Sequence, residues 1–228
     1  MAIRLVVFDM AGTTIDDGGA VGKCLAGVLQ DAGLTVDPEA VKRVMGLPKP
    51  EAIRKLIEAS PDAARLRDQA EALHRKFADR LKSFYATDPS IREMPGTSAA
   101  LASLRKAGIK IALDTGFSRD IVDVLIRRLC WSGPNSPIDA TITSDEVPRG
   151  RPSPDMIQAL MQRLGVPDPF LVAKVGDTPI DLQEGVNAGC SLVIGVTNGS
   201  HRRDQLERYP HTHLIDSLAD LSAVVVGD

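Results

Sequence analysis

Asp9 stands directly after an apolar run at residues 3–8, Asp114-Thr115-Gly116 follows a run that starts at Ile109, and Gly176-Asp177-Thr178-Pro179-Ile180-Asp181 follows a run at 170–175. Arg151 lies in the segment Gly150-Arg151-Pro152-Ser153-Pro154. Gathered at one place, these side chains suit phosphoryl transfer through a covalent intermediate. An aspartate can attack phosphorus, oxygen ligands can hold Mg²⁺, and a guanidinium with a hydroxyl can neutralise the equatorial oxygens. Each piece also has a plain structural use. Asp9 and Gly12 can form a turn. Thr178-Pro179-Ile180-Asp181 reads as a helix start, with an N-cap, a first-turn proline and an acid at the third position. Asp114 and Thr115 can cap the helix that follows, and Arg151 can be a surface cation in a proline-rich loop. Four such pieces, each after the right kind of element, outweigh the separate structural uses, and capping is compatible with catalysis.

What would gather them is a parallel sheet. Short apolar, β-branched runs at 3–8, 109–113, 140–143, 170–175 and 191–196 read as buried strands. Helical patterns at 98–107, 119–129, 155–164 and 179–188 separate them. This alternation predicts a doubly wound α/β fold, in which ligands bind at the carboxyl ends of the strands. Residues 17–88 interrupt it with no strand-like run. Val21, Cys24, Leu25, Val28 and Leu29 follow a helical period, and further helices are expected at 38–44, 50–59 and 62–85. A helical subdomain is therefore expected at 17–88, inserted after the first strand into a core formed by 1–16 and 89–228. Its boundaries, Asp16-Asp17-Gly18-Gly19 and Thr87-Asp88-Pro89-Ser90, are rich in turn formers and predict a hinge. Toward the end of the chain, 213–215 reads as an edge strand and 218–226 as a last helix or strand.

The composition removes several other classes of function. A formal charge of −3 offers no basic surface for nucleic acid. The longest apolar runs fall far short of the roughly 20 residues that cross a bilayer. The start does not resemble a secretion signal, because Asp9 cuts the apolar stretch after Arg4. Cys24, Cys130 and Cys190 form no C-x-x-C pair, which fits a reducing cytoplasm and argues against a zinc site. No dinucleotide or P-loop glycine motif is present.

Taken together, the four segments resemble the haloacid dehalogenase superfamily, in order and over nearly the whole chain. The resemblance implies a Rossmann-like core with a cap of the type inserted after the first strand. It makes Asp9 the nucleophile and a Mg²⁺ ligand, with the Ala11 carbonyl, Asp177 and Asp181 as the other ligands. Thr115 would bind phosphate and Arg151 would stabilise its charge.

Most phosphatases of that superfamily carry a general acid two residues after the nucleophile, a group worth roughly 10²- to 10⁴-fold. Here the position is Ala11. Asp-Met-Ala-Gly-Thr-Thr resembles the phosphonoacetaldehyde hydrolase branch instead, where a cap lysine forms a Schiff base with the aldehyde. Met45-Gly46-Leu47-Pro48-Lys49 matches that cap segment and makes Lys49 the lysine. Pro50 suits the first turn of a helix, so Lys49 would sit at a helix N-terminus, where the dipole lowers its pKa toward the neutral amine that attack on a carbonyl requires. Ala11, Gly12, Thr13, Met45 and Gly116 are the expected substrate contacts. One departure stands against this branch. The family histidine three residues after the lysine is Ala52 here. His74 is expected on a solvated helix face, and His201, His211 and His213 at the surface or a sheet edge.

The reading is thus a Mg²⁺-dependent hydrolase of a small anionic phosphonate such as phosphonoacetaldehyde. The second is a phosphatase for a small phosphomonoester such as phosphoglycolate, and the third, of another class, is a catalytically weak binding or regulatory protein on the same fold. Neither nucleic acid nor membrane is an expected partner, and pairing of cap helices would make a homodimer.

Overall fold

The computed structural model describes residues 2–61 and 63–227. In chain order the elements begin with strands β1 (Leu5–Phe8) and β2 (Ile15–Asp16) and helices α1 (Ala20–Asp31), α2 (Pro38–Arg43), α3 (Lys49–Glu58), α4 (Ala63–Leu66) and α5 (Ala70–Thr87). There follow β3 (Arg92–Glu93), α6 (Thr97–Lys106), β4 (Lys110–Thr115), α7 (Arg119–Arg128), β5 (Ala140–Thr143) and α8 (Asp155–Leu164). The chain ends with β6 (Val172–Gly176), α9 (Pro179–Ala188), β7 (Leu192–Val196), α10 (Arg203–Leu206), β8 (His213–Ile215) and α11 (Leu221–Val225).

Six of the strands form one sheet in the order β5-β4-β1-β6-β7-β8, and every pairing in it is parallel. β1 lies in the middle, between β4 and β6. Its residues alternate between the two faces. Val6 and Phe8 join the larger core, whereas Leu5 and Val7 pack with Met156, Ile157 and Leu160 of α8. Burial on both faces is why the strand reads as an unbroken apolar run. The topology switches at β1, so Asp9, Thr115 and Asp177 leave the carboxyl ends of three adjacent strands toward one crevice.

The insertion is helical, as its pattern predicts. Leu73, Phe77, Leu81 and Tyr85 form the buried stripe of α5, which packs on α1, α3 and α7. The expected helix at 62–85 is broken: a 3₁₀ turn at Arg67–Gln69, with no buried side chain to hold it against the core, separates α4 from α5. Asp62 lies outside the described residues. The last expected element resolves into a 3₁₀ turn at Leu218–Asp220 followed by α11.

Two short strands escape the sequence pattern. β2 and β3 pair antiparallel, Ile15 with Glu93 and Asp16 with Arg92, and so join the two connectors between insertion and core. At two residues each they are too short to show a period. Asp16 and Arg92 also form an ion pair. Beside them Asp17 accepts hydrogen bonds from the Gly19 and Ala20 amides at the start of α1 (2.9 and 3.3 Å) and from the Tyr85 hydroxyl at 2.8 Å. These contacts link the two segments where the sequence predicts a hinge.

Candidate active site

Asp9 is the first residue beyond β1, and its amide donates to the Val175 carbonyl at 2.9 Å, which fixes it to the neighbouring strand. Its side chain is buried and accepts from Nη2 of Arg151 at 2.8 Å. Burial pushes its pKa up to about 7 against the pull of Arg151, with Asp181 and Asp177 adding to the rise. Arg151 is 1% exposed, so it is no surface cation. Its Nη1 donates to Asp181, while its Nε–H has no partner among the described residues. Thr115 closes β4 and is buried, and its hydroxyl oxygen accepts from the Phe117 amide at 3.3 Å. Neither Asp114 nor Thr115 caps α7, whose N-cap residue is Ser118.

Asp177 follows β6 and accepts from the Ser200 amide at 2.6 Å and the Thr13 hydroxyl at 3.0 Å. Burial raises its pKa to about 6, with Asp181 contributing. Gly12, at φ 93°, lets the loop after Asp9 run against the Asp177 carboxylate, where any Cβ would collide. Asp177 is thereby set beside the loop that carries Ala11 and Thr13. Asp181 forms the capping box foreseen for α9: its Oδ2 accepts from the Thr178 amide at 3.2 Å and hydroxyl at 2.5 Å. Its Oδ1 is shared between Arg151 and Lys174, so both of its oxygens already have partners.

The segment 45–49 lies against the crevice. Lys49 is the first residue of α3 and is 4% exposed. Its Nζ donates to the Leu47 carbonyl at 3.1 Å and lies 5.4 Å from the centre of the Phe117 ring. Its pKa is brought down to about 8 by burial first and by Arg151 second, against Asp9 and Asp181. Desolvation and a neighbouring cation are thus the named causes of the lowering, where the sequence suggested the helix dipole. The Lys49 amide donates to the Gly116 carbonyl at 3.3 Å, and a Cβ on residue 116 would meet the Leu47 carbonyl oxygen at 2.5 Å. Only glycine at that position lets the 45–49 segment approach β4 so closely.

Asp9, Ala11, Met45, Lys49, Thr115, Gly116 and Arg151 line one chamber, together with Val21, Gly46, Phe117 and Thr178. Its volume is about 20 Å³, room for roughly one water molecule. Ala11, Val21 and Met45 also border a cleft of about 260 Å³ that runs past Gly12 and Asp17 to Ser200. Thr13 and Asp177 stand beside the chamber rather than in its lining. His201, expected at the surface, is buried on the core side; His213 is exposed on the edge strand β8, as read. His74 is half-buried on α5 rather than fully solvated, and burial lowers its pKa.

The donor set fits a hard divalent cation. Asp9 and Asp177 are buried carboxylates whose pKa values are raised, the Ala11 carbonyl lies on the loop between them in space, and all the donors are oxygen. Oxygens of Asp9, Asp114 and Asp181 also come within 4.8 Å of one another, but Asp114 and Asp181 are already neutralised by Lys174 and Arg151.

The model of the haloacid dehalogenase-like hydrolases matches residues 6–195. The chain belongs to this family. Among curated relatives of this hydrolase, the phosphonoacetaldehyde hydrolase of Bacteroides fragilis is 35% identical over 228 residues, covering 92% of this chain and 81% of the relative. The structure of a phosphonoacetaldehyde hydrolase-like protein from Oleispira antarctica superposes with a TM-score of 0.87 at 24% identity, covering 99% and 92% of the two chains. A predicted phosphoglycolate phosphatase from Haemophilus somnus superposes at 0.81 with 19% identity, covering 97% of both. These two likenesses show a shared fold. Among the described residues, no helix of this hydrolase is long and apolar enough to cross a membrane.

Sequence reasoning missed Phe117, the aromatic wall beside Lys49, and a buried charge cluster around Lys174. A lysine within the otherwise apolar 170–175 run was the available signal for the second.

Proposed function

We infer that this hydrolase releases phosphate from a small phosphonate bearing a carbonyl, of the phosphonoacetaldehyde kind, with 17–88 as a cap over a core of 1–16 and 89–228. The observation that carries the reading is Lys49: a buried amine with its pKa lowered to about 8, in one chamber with Asp9, Thr115 and Arg151. The name of the Bacteroides fragilis relative supports the same substrate class.

Lys49 in its neutral form attacks the aldehyde and expels water, giving an imine on Nζ. Asp9 then attacks phosphorus. The P–C bond breaks, its electron pair enters the protonated imine to give an enamine, and the phosphoryl group passes to the Asp9 carboxylate. Protonation of the enamine carbon and hydrolysis of the imine free the aldehyde and restore Lys49, and water releases phosphate from Asp9. Arg151 and Thr115 neutralise the phosphoryl oxygens, and the unpartnered Nε–H of Arg151 is a donor still open to one of them. Mg²⁺, held by Asp9, the Ala11 carbonyl and Asp177 with Asp181 behind them, would supply positive charge that lets an anion approach an anionic nucleophile. A chamber of about 20 Å³ cannot hold the substrate, so the cap must open to admit it.

Borohydride added during turnover of phosphonoacetaldehyde should trap a covalent adduct, found by peptide mass at Lys49. An unmodified Lys49 would defeat the imine. The phosphatase reading draws on one observation, that Ala52 is fully buried and leaves no histidine beside Lys49. It expects phosphate release from phosphoglycolate and no adduct.

A further inference from the structure

Beneath the chamber lies a set of charges that the chemistry above does not use. Lys174, Asp114, Asp181 and Glu184 are all fully buried. Asp114 on β4 and Lys174 on β6 meet across β1, which lies between their strands, and form an ion pair. The same ammonium lies 2.8 Å from Glu184 and 3.3 Å from Asp181, two residues on one face of α9. α9 packs closely over it, since a Cβ on Gly185 would come within 2.9 Å of the Lys174 Cβ. Lys174, Asp114 and Glu184 are absent from the chamber lining.

Such a cluster is poor value as a source of stability, because burying charges costs about as much as their attraction returns, and apolar residues of similar volume usually serve as well. Its connections indicate another use. Asp181 Oδ2 is held by Thr178, and Oδ1 is shared by Lys174 and Arg151. Arg151 in turn gives one nitrogen to Asp181 and the other to Asp9. Without the ammonium, Asp114, Asp181 and Glu184 would have Arg151 as their nearest cation, and the guanidinium would be drawn down from Asp9 toward them.

We propose that Lys174, clamped by Asp114 and Glu184, is a positioning residue that fixes Asp181 and, through it, the guanidinium of Arg151 against Asp9. The proposal rests on the reading of Asp9 as phosphoryl acceptor.

Lys174→Met alone removes the cation paired with buried Asp114, Asp181 and Glu184 and can unfold the chain, so the informative variant is the pair Lys174→Met with Glu184→Leu, which removes both ends of one ion pair. With Mg²⁺ present, phosphate release from phosphonoacetaldehyde and from phosphoglycolate is measured alongside thermal melting. The expected result is a melting temperature near that of wild type, KM within about twofold, and kcat lower by about 10- to 100-fold, the range for residues that orient groups at a site. In an Arg151→Lys background the same pair should cost less than about threefold more, because both changes act through one guanidinium. A double variant that turns over at the wild-type rate, or a loss that multiplies in full with that of Arg151→Lys, overturns the positioning role and leaves the function intact. A wild-type protein inert toward both compounds overturns the functional reading and this role with it.

Discussion

The two walls of the chamber are built differently. On one wall, Asp9 and Thr115 hang from strands in the middle of a parallel sheet, and the Arg151 guanidinium is bound by both Asp9 and Asp181. On the other wall, Val21 and Met45 are apolar, and the Lys49 side chain has one hydrogen bond, to a carbonyl two residues away. Preorganised charge is what phosphoryl transfer demands. An amine that must approach a carbonyl, form a bond and let go needs freedom and a low pKa, and desolvation supplies the latter without fixed partners. Under the proposed function, the division gives the common step to the sheet side and the substrate-dependent step to the Lys49 side.

The largest effect should come from the core. Asp9→Asn should lower turnover of every phosphoryl substrate by at least about 10⁴-fold, as loss of a nucleophile does; steady-state phosphate release measures it, and turnover at the wild-type rate would remove Asp9 from the role of nucleophile. Next, Lys49→Arg should cut P–C cleavage by at least about 10³-fold while phosphomonoester turnover stays within about twofold. Equal losses on both substrates would erase the distinction between the walls. Third, P–C cleavage should depend on pH through Lys49. The charged amine is inert, so the rate should level off above pH 8 and fall about tenfold per unit from pH 8 to pH 7, below which protonation of Asp9 slows both substrates; a pH–rate profile for kcat/KM with each substrate checks that only P–C cleavage shows the limb above pH 7. The smallest effect belongs to the junction of the two walls. Tyr85→Phe removes the hydroxyl that donates to Asp17 and should cost about 1.5–3 kcal/mol of stability in urea unfolding, with kcat changed by less than about twofold.

The elements that position the site were legible because their signals are local. Strands buried on both faces show as short apolar runs, and β5, α8 and α9 fall where the pattern places them. The Thr178 and Asp181 capping box was equally readable, since it needs only residues three apart. What escaped depends on contacts between distant residues. β2 and β3 each carry two residues and meet only because the chain brings back together residues 76 positions apart, Asp16 and Arg92. The burial of His201 and the break between α4 and α5 likewise follow from what packs against them.

Residue types and their order were enough to determine the family and the doubly wound core, because each strand end delivers its next residue to the same edge. Only the tertiary structure decided how the reactive groups are held. It spent both oxygens of Asp181 on Arg151, Lys174 and Thr178, and it lowered the Lys49 pKa by burial and a nearby guanidinium. Burial and charge proximity are properties of three-dimensional neighbours, and no spacing along the chain encodes them.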